Sequence, residues 1–206
     1  VLLLEAINRR GTLLDAIGRY DEARAEFVSG LALAQQLGLE KRQHPILTNL
    51  GYLELREGNF DGAKTNLETA LGWSREREDL QGIIFNGVNL AFAYLRTEEA
   101  SRARPLIKEV LQAARASGSF PAELSAVGTE GERLLALGET GRGLALLGLS
   151  RHHPASSADI RTDIQMGLDF WAPRLGLTQP EIEAGLAAGK SLDLDQVVDQ
   201  CLGSKS

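Results

Sequence analysis

The stretch Asn49-Leu50-Gly51-Tyr52-Leu53-Glu54-Leu55-Arg56-Glu57-Gly58-Asn59-Phe60-Asp61-Gly62-Ala63-Lys64 decides the fold. It reads as a helix, a tight turn at Gly58-Asn59-Phe60-Asp61, and a second helix. The same grammar returns at one fixed offset in either direction: Gly18, Gly58, Glu98 and Gly138 at the turn, then Ala23, Ala63, Ala103 and Gly143 shortly after it. A fixed period of this length marks a stack of helical pairs, each too small to bury its apolar side alone.

Working outward, Leu3 to Ile17 forms a first A helix, with Gly11 admitting a close neighbour. Gly18-Arg19-Tyr20-Asp21 turns the chain, Asp21 is the expected N-cap of a B helix through Ala23, Phe27, Leu31 and Ala34, and Gly38 ends that helix. The second pair is expected to start near Pro45, in a first turn that needs no amide donor. Leu47, Leu50 and Leu53 face its core. The third pair carries Leu90, Ala91, Phe92 and Tyr94, then a turn Thr97-Glu98-Glu99-Ala100 that need not have positive φ. Its B helix is expected to open at Ser101, with Pro105 in the first turn, and to close at Gly118. The fourth pair, Pro121 to Leu137 and a short helix Leu144 to Ser150, departs from the pattern. Gly128 and Gly131 each cost about 1 kcal/mol relative to Ala inside its first helix.

After Arg151-His152-His153-Pro154 the period is lost. Ser157 caps a helix expected to stop before Pro173, Thr178-Gln179-Pro180-Glu181 starts another, and Ser191-Leu192-Asp193-Leu194 starts a last one ending at Leu202. The expected organisation is four hairpins over 1–150 (about 1–40, 41–80, 81–120 and 121–150), then a C-terminal helical cap and frayed tail over 151–206. The fold class is all-α, a right-handed superhelical array of antiparallel helix pairs.

Composition narrows the role. With 22 Lys+Arg against 28 Asp+Glu and no local basic stripe, neither nucleic-acid nor anionic-membrane binding is indicated. No apolar run approaches the roughly 20 residues that cross a bilayer. Cys201 is alone, so no internal disulfide can form, and a reducing cytoplasm is the expected compartment. Val1-Leu2-Leu3-Leu4 lacks the flanks of a signal peptide, and Val1 is expected to be a cut within a longer polypeptide.

Leu50-Gly51, Gly58-Asn59-Phe60, Ala63, Leu67 and Ala70-Leu71 together resemble the tetratricopeptide repeat, an α-solenoid family, over about residues 1–150. Small residues such as Gly51 and Ala63 stand where two helices touch. The period exceeds the family's usual length of about 34 residues. In this it resembles the long repeats in the C-terminal arms of bacterial LuxR-type regulators and related signalling ATPases. The tail Gly185-Leu186-Ala187-Ala188-Gly189-Lys190-Ser191-Leu192-Asp193-Leu194-Asp195 is similar to the closing segment of such arms. The resemblance implies protein interaction or effector sensing and transcription-linked signalling, with a protein or peptide partner or upstream domains of the same polypeptide.

In that family the A helices line an inner groove. Here Asn49 and Asn89, Tyr52 and Phe92, and Arg56 and Arg96 are pairs one full repeat apart, and Asn8, Arg9 and Thr12 join the same face. An Asn side chain can hold both N–H and C=O of an extended peptide, an aromatic ring adds apolar area, and Arg clamps carboxylates. The competing account has Asn49 and Asn89 bridging helices and Tyr52 and Phe92 packing between repeats. At the level of the whole chain the alternative is a structural scaffold or homodimerisation module.

No catalytic, metal or cofactor site is expected. His152-His153 ends a helix and has no accompanying ligand cluster, and His44 before Pro45 reads as a turn residue. Gly138-Glu139-Thr140-Gly141-Arg142-Gly143 lacks the strand and Gly-Lys-Ser/Thr ending of a phosphate loop. Ser150 and His152 have no positioned carboxylate. Trp73 and Trp171 are expected to pack between helices.

Overall fold

Left-handed backbone recurs at even intervals, twice in each repeat: Gly18, Gly38, Gly58, Glu78, Glu98, Gly118 and Gly138 all have positive φ, between 54° and 80°. After each of these positions the next residue's amide bonds back to a carbonyl in the last turn of the preceding helix. Examples are Asn59 N–H to Glu54 O at 2.8 Å and Glu99 N–H to Tyr94 O at 2.8 Å. This closes orphan carbonyls of that helix in the Schellman manner and reverses the chain tightly. The expectation that the Glu98 turn need not have positive φ is therefore overturned: Glu98 sits at 61°, and Glu78 at 54° makes a turn of the same kind.

The computed structural model describes residues 2–203. Its helices are α1 (Leu2–Ala16), α2 (Tyr20–Gln36), α3 (Glu40–Arg56), α4 (Phe60–Glu76), α5 (Leu80–Arg96), α6 (Ala100–Ser117), α7 (Phe120–Ala136), α8 (Thr140–His152), α9 (Ala158–Leu175), α10 (Gln179–Ala188) and α11 (Leu194–Leu202), with a 3-10 turn at Gly189–Ser191. The chain is about 85% helical, no strand occurs among the described residues, and consecutive helices pair in the manner of an all-α, TPR-like solenoid. No described helix is long and apolar enough to cross a membrane.

Several expected boundaries shift, for one reason. The residue after each left-handed position takes the N-cap place, so α2 is capped at Arg19, ahead of Asp21, and α6 at Glu99, ahead of Ser101. The turn's own hydrogen bonds override side-chain capping preference. Pro45 and Pro105 consequently lie inside α3 and α6, beyond the first turn. Likewise α9 runs through Pro173 to Leu175, and α8 extends over Thr140–His152, longer than the segment expected. Side-chain capping operates where the residue after the turn can supply it, Asn59 accepting from Gly62 N, Asp79 from Gly82 N and Ser119 from Ala122 N, and again in the C-terminal helices, where Ser157 accepts from Ile160 N, Asp193 accepts from Gln196 N, and Thr178 with Glu181 forms a capping box. Of the tail expected to fray, Ser204 to Ser206 lie outside the described residues.

Two compact units divide the chain, Val1–Gly82 and Ile83–Ser206. In the first, Leu14, Ala23, Phe27, Ile46, Leu50 and Leu53 form the core, with Tyr20 and Leu31 against it. Gly11 is required there: a Cβ would fall 2.5 Å from the Phe27 ring. Phe27 is 1% exposed, a burial that contributes about 1.5–3 kcal/mol. Gly51 does the same for Leu67, at 2.7 Å. Glu54, buried between these helices, accepts from Asn66 at 2.7 Å and faces Arg24 at 3.4 Å.

The second unit is built around α7, which carries three buried carboxylates, Glu123, Glu130 and Glu132. Each faces arginine. Arg115 stands 3.6 Å from Glu123, Arg133 and Arg104 pair with Glu130, and Arg96 lies 2.7 Å from Glu132. Helix α9 packs on α7 and α8, α10 on α8, and α11 on α6 and α7.

Candidate functional site

Asn8, Thr12, Asn49, Tyr52 and Arg56 meet on the α1 and α3 surface of the first unit. The Asn49 amide donates to Asn8 Oδ1 at 3.0 Å and to Thr12 Oγ1 at 3.3 Å, while the Thr12 hydroxyl donates to Asn8 O at 3.1 Å. Arg56 pairs with Asp15 at 3.2 Å and donates to the Tyr20 hydroxyl at 2.6 Å. Its guanidinium lies 4.8 Å from the Tyr20 ring centroid and 6.0 Å from that of Tyr52. Tyr52 is 36% exposed, the Arg56 side chain is 37% exposed, and Arg9 is also exposed.

The register-equivalent residues of the second unit have different surroundings. Asn89 donates to Phe85 O in its own helix at 2.8 Å. Arg96 is enclosed, its side chain 2% exposed, with its guanidinium 3.8 Å from Phe92, 4.3 Å from Phe170 and 5.9 Å from Trp171. One nitrogen stands 2.7 Å from Glu132 Oε2 as an ion pair, and that oxygen accepts from Trp171 Nε1 at 3.1 Å; neither terminal nitrogen of Arg96 makes a well-aligned hydrogen bond among the described residues. Gly167 places α9 here, because a Cβ would fall 2.6 Å from the Glu132 carboxyl.

The electrostatics follow from this packing. Burial pushes Glu132 above the ordinary carboxylate range, opposed by the charge of Arg96 and by the hydrogen bond from Trp171. Asp163, on the same helix as Gly167, is raised to about 6, first by desolvation and then by the charges of Glu132 and Asp159. These partners were missed in the sequence, because α9 lies outside the repeating period and nothing local assigns it to α5 or α7.

The other candidates resolve into structure. His44 lies within α3, correcting its reading as a turn residue, and sits 3.1 Å from the Ser74 hydroxyl and edge-on to Trp73; burial lowers its pKa. His152 ends α8, and the His153 ring accepts from Ala155 N at 3.1 Å. Ser150 donates to Leu124 O at 2.8 Å. No cluster of three His, Cys, Asp or Glu placed to hold a metal occurs among the described residues.

Residues 44–77 match the family model described as Tetratricopeptide repeat. The match begins inside α3 and ends just past α4, so it covers one A–B pair and the Gly58 turn. No curated protein and no solved structure matches the chain. Repeats of this family generally mediate protein–protein contact.

Proposed function

We propose that the chain is a protein-interaction or effector-sensing arm, serving a larger bacterial regulator, that binds a peptide or protein segment on its A-helix face. Within the first unit the contact residues are Asn8, Arg9, Thr12, Asn49, Tyr52 and Arg56; Asn89, Phe92 and Arg96 are the corresponding positions of the second. The observation that supports this most is the half-exposed Tyr52–Arg56 pair, held in place by Tyr20 and Asp15 over a closed core. Its geometry is fixed before any partner arrives, which lowers the ordering cost of association. Helices α9–α11 act as the C-terminal cap of the array. The regulator assignment rests on the likeness of Gly185 to Asp195 to the closing segments of such arms.

The test is capture of partners by the full chain and by its Asn49→Ala/Tyr52→Ala/Arg56→Ala variant, with circular dichroism to confirm folding. Partners captured by wild type and lost by the variant support the reading. The same partners retained at equal yield contradict it.

A homodimer is the second reading, and one feature favours it. Leu2, Leu3, Leu13 and Ile17 of the first hairpin are 63–81% exposed. Leu13 holds the register of Leu53, which is fully buried in the core shared by α1, α2 and α3. Light scattering of wild type and Leu13→Lys/Ile17→Lys decides this: a dimer dissociated by the substitutions supports it, and a monomeric wild type removes it.

A further inference from the structure

We propose that the groove between α9 and α10 binds a small amphiphilic anion, a carboxylate or phosphate headgroup carrying a short apolar chain. The site lies wholly within the second unit and does not depend on the A-helix face proposed above.

The groove has a volume of about 640 Å³ and is lined from α8, α9, α10 and the 3-10 turn. That volume is in the range of small-molecule sites. Its walls are set by close backbone approach outside it. A Cβ on Gly148 would fall 2.1 Å from Leu186 O, and one on Gly189 would fall 2.2 Å from Ala145 O, so α10 lies directly on α8. Gly167 in turn seats α9 against Glu132 of α7. The two walls are thus held by different neighbours, joined by the short link Gly176-Leu177-Thr178 and making little contact with each other. The space between them is fixed by packing before any ligand arrives.

The two ends of the groove differ in chemistry. Toward the α9–α10 link the lining is apolar, with Leu177 in the link and Ile182 near the start of α10. Leu168 and Leu186, both buried, continue that wall. Past the far end of α10 three basic side chains converge: Arg151 and His152 from the last turn of α8, and Lys190 from the 3-10 turn. They are close enough that, after burial, the charges of Lys190 and Arg151 hold the His152 pKa below its ordinary value.

Gathering like charges is unfavourable unless an anion offsets them, and none of the three forms an ion pair among the described residues. Arg151 is half-buried, and its guanidinium donates to the neutral amide oxygen of Gln165 at 3.4 Å. The two carboxylates of the groove are engaged along their own helices, Asp169 accepting from Gln165 at 2.9 Å and Glu183 from Gln179 at 2.8 Å. A bound headgroup would meet a planar guanidinium able to hold two oxygens, an ammonium and an imidazole N–H. Its chain would follow the α9 wall, which runs about 12 Å from Gln165 to Pro173. A neutral ligand would leave the basic trio without a counter-charge, and a bare anion would leave the apolar end wet.

The test is isothermal titration of the full chain with octanoate, octyl phosphate, octanol and acetate. At least one of the two octyl anions is expected to bind saturably below about 1 mM, and the tighter one identifies the headgroup. Octanol and acetate are each expected to bind about tenfold or more weakly. Arg151→Ala/Lys190→Ala is expected to weaken the anion about tenfold or more, and Ile182→Glu, which sets a carboxylate against the chain, to do the same. Circular dichroism melts confirm that both variants are folded. Absence of binding by either octyl anion up to about 1 mM overturns the proposal, as does unchanged affinity in the folded variants. Octanol bound as tightly as the anions removes the anionic class, and acetate bound as tightly removes the apolar chain.

Discussion

Arg56 and Arg96 occupy the same place in two successive A helices, each one helical turn after an aromatic ring, yet one is open and the other sealed. The difference lies in what arrives from elsewhere in the chain. Arg56 meets Asp15 and Tyr20 from its own hairpin neighbours, and Arg96 meets Glu132 from α7 and two rings from α9. A repeat thus fixes the position of a side chain, while the non-repeating segment decides how far that side chain is enclosed.

The comparison is broken most sharply by removing each arginine in turn. Arg96→Ala leaves Glu132 buried without its counter-charge and should cost about 3–5 kcal/mol. Arg56→Ala removes a half-exposed pair and should cost under about 1 kcal/mol. Urea unfolding of the two variants measures both, and equal losses would erase the distinction.

Two glycines give the next largest contrast. A Cβ on Gly148 of α8 would strike the backbone carbonyl of Leu186 in α10, where no side chain can yield, whereas Gly72 of α4 has nothing within 4 Å. Gly148→Ala should destabilise by about 1–3 kcal/mol, and Gly72→Ala should stabilise by about 1 kcal/mol through helix propensity. Thermal melts of each variant read these opposite signs.

Asp163 provides a pH test of the α9 seat. Its folded pKa of about 6 exceeds the ordinary 3.8, so the folded state holds the proton more tightly than the unfolded chain. Its contribution is therefore most favourable below the ordinary value and is lost as pH rises through the window up to about 6. The Asp163 side chain keeps partial contact with solvent, so screening reduces the effect. Asp163→Asn should stabilise by about 1 kcal/mol near pH 7.5 and by almost nothing near pH 4. Melts at the two pH values check the difference.

The smallest effect distinguishes the two kinds of turn. Glu98 holds a left-handed conformation that disfavours a side chain, so Glu98→Gly should gain about 0.5 kcal/mol once glycine's extra chain entropy is counted. Gly58→Ala, at φ 77°, should lose about 1 kcal/mol. Denaturant midpoints separate the two.

The array was legible in the sequence because Gly18, Gly58 and Gly138 mark turns that few other residues tolerate, and because Ala23, Ala63 and Ala103 must be small where helices touch. The turns at Glu78 and Glu98 were hidden: neighbouring helices of matched length impose the reversal there on residues that would not choose it. The expected caps Asp21 and Ser101 failed for a related reason, since the turn's backbone bonds fix the helix start before side-chain preference can act. On the candidate face, sequence placed Asn49, Tyr52 and Arg56 together through their period. It missed Glu132, Phe170 and Trp171 as partners of Arg96, because a contact between a periodic helix and an aperiodic one leaves no spacing to read.

The most direct measurement is hydrogen–deuterium exchange of the full chain with and without a partner recovered in the capture experiment. The proposed contact face predicts that exchange slows in α1 and α3 around Asn49 to Arg56 and is unchanged around Asn89 to Arg96. Slowing confined to Asn89–Arg96, or none at either place, would contradict the account.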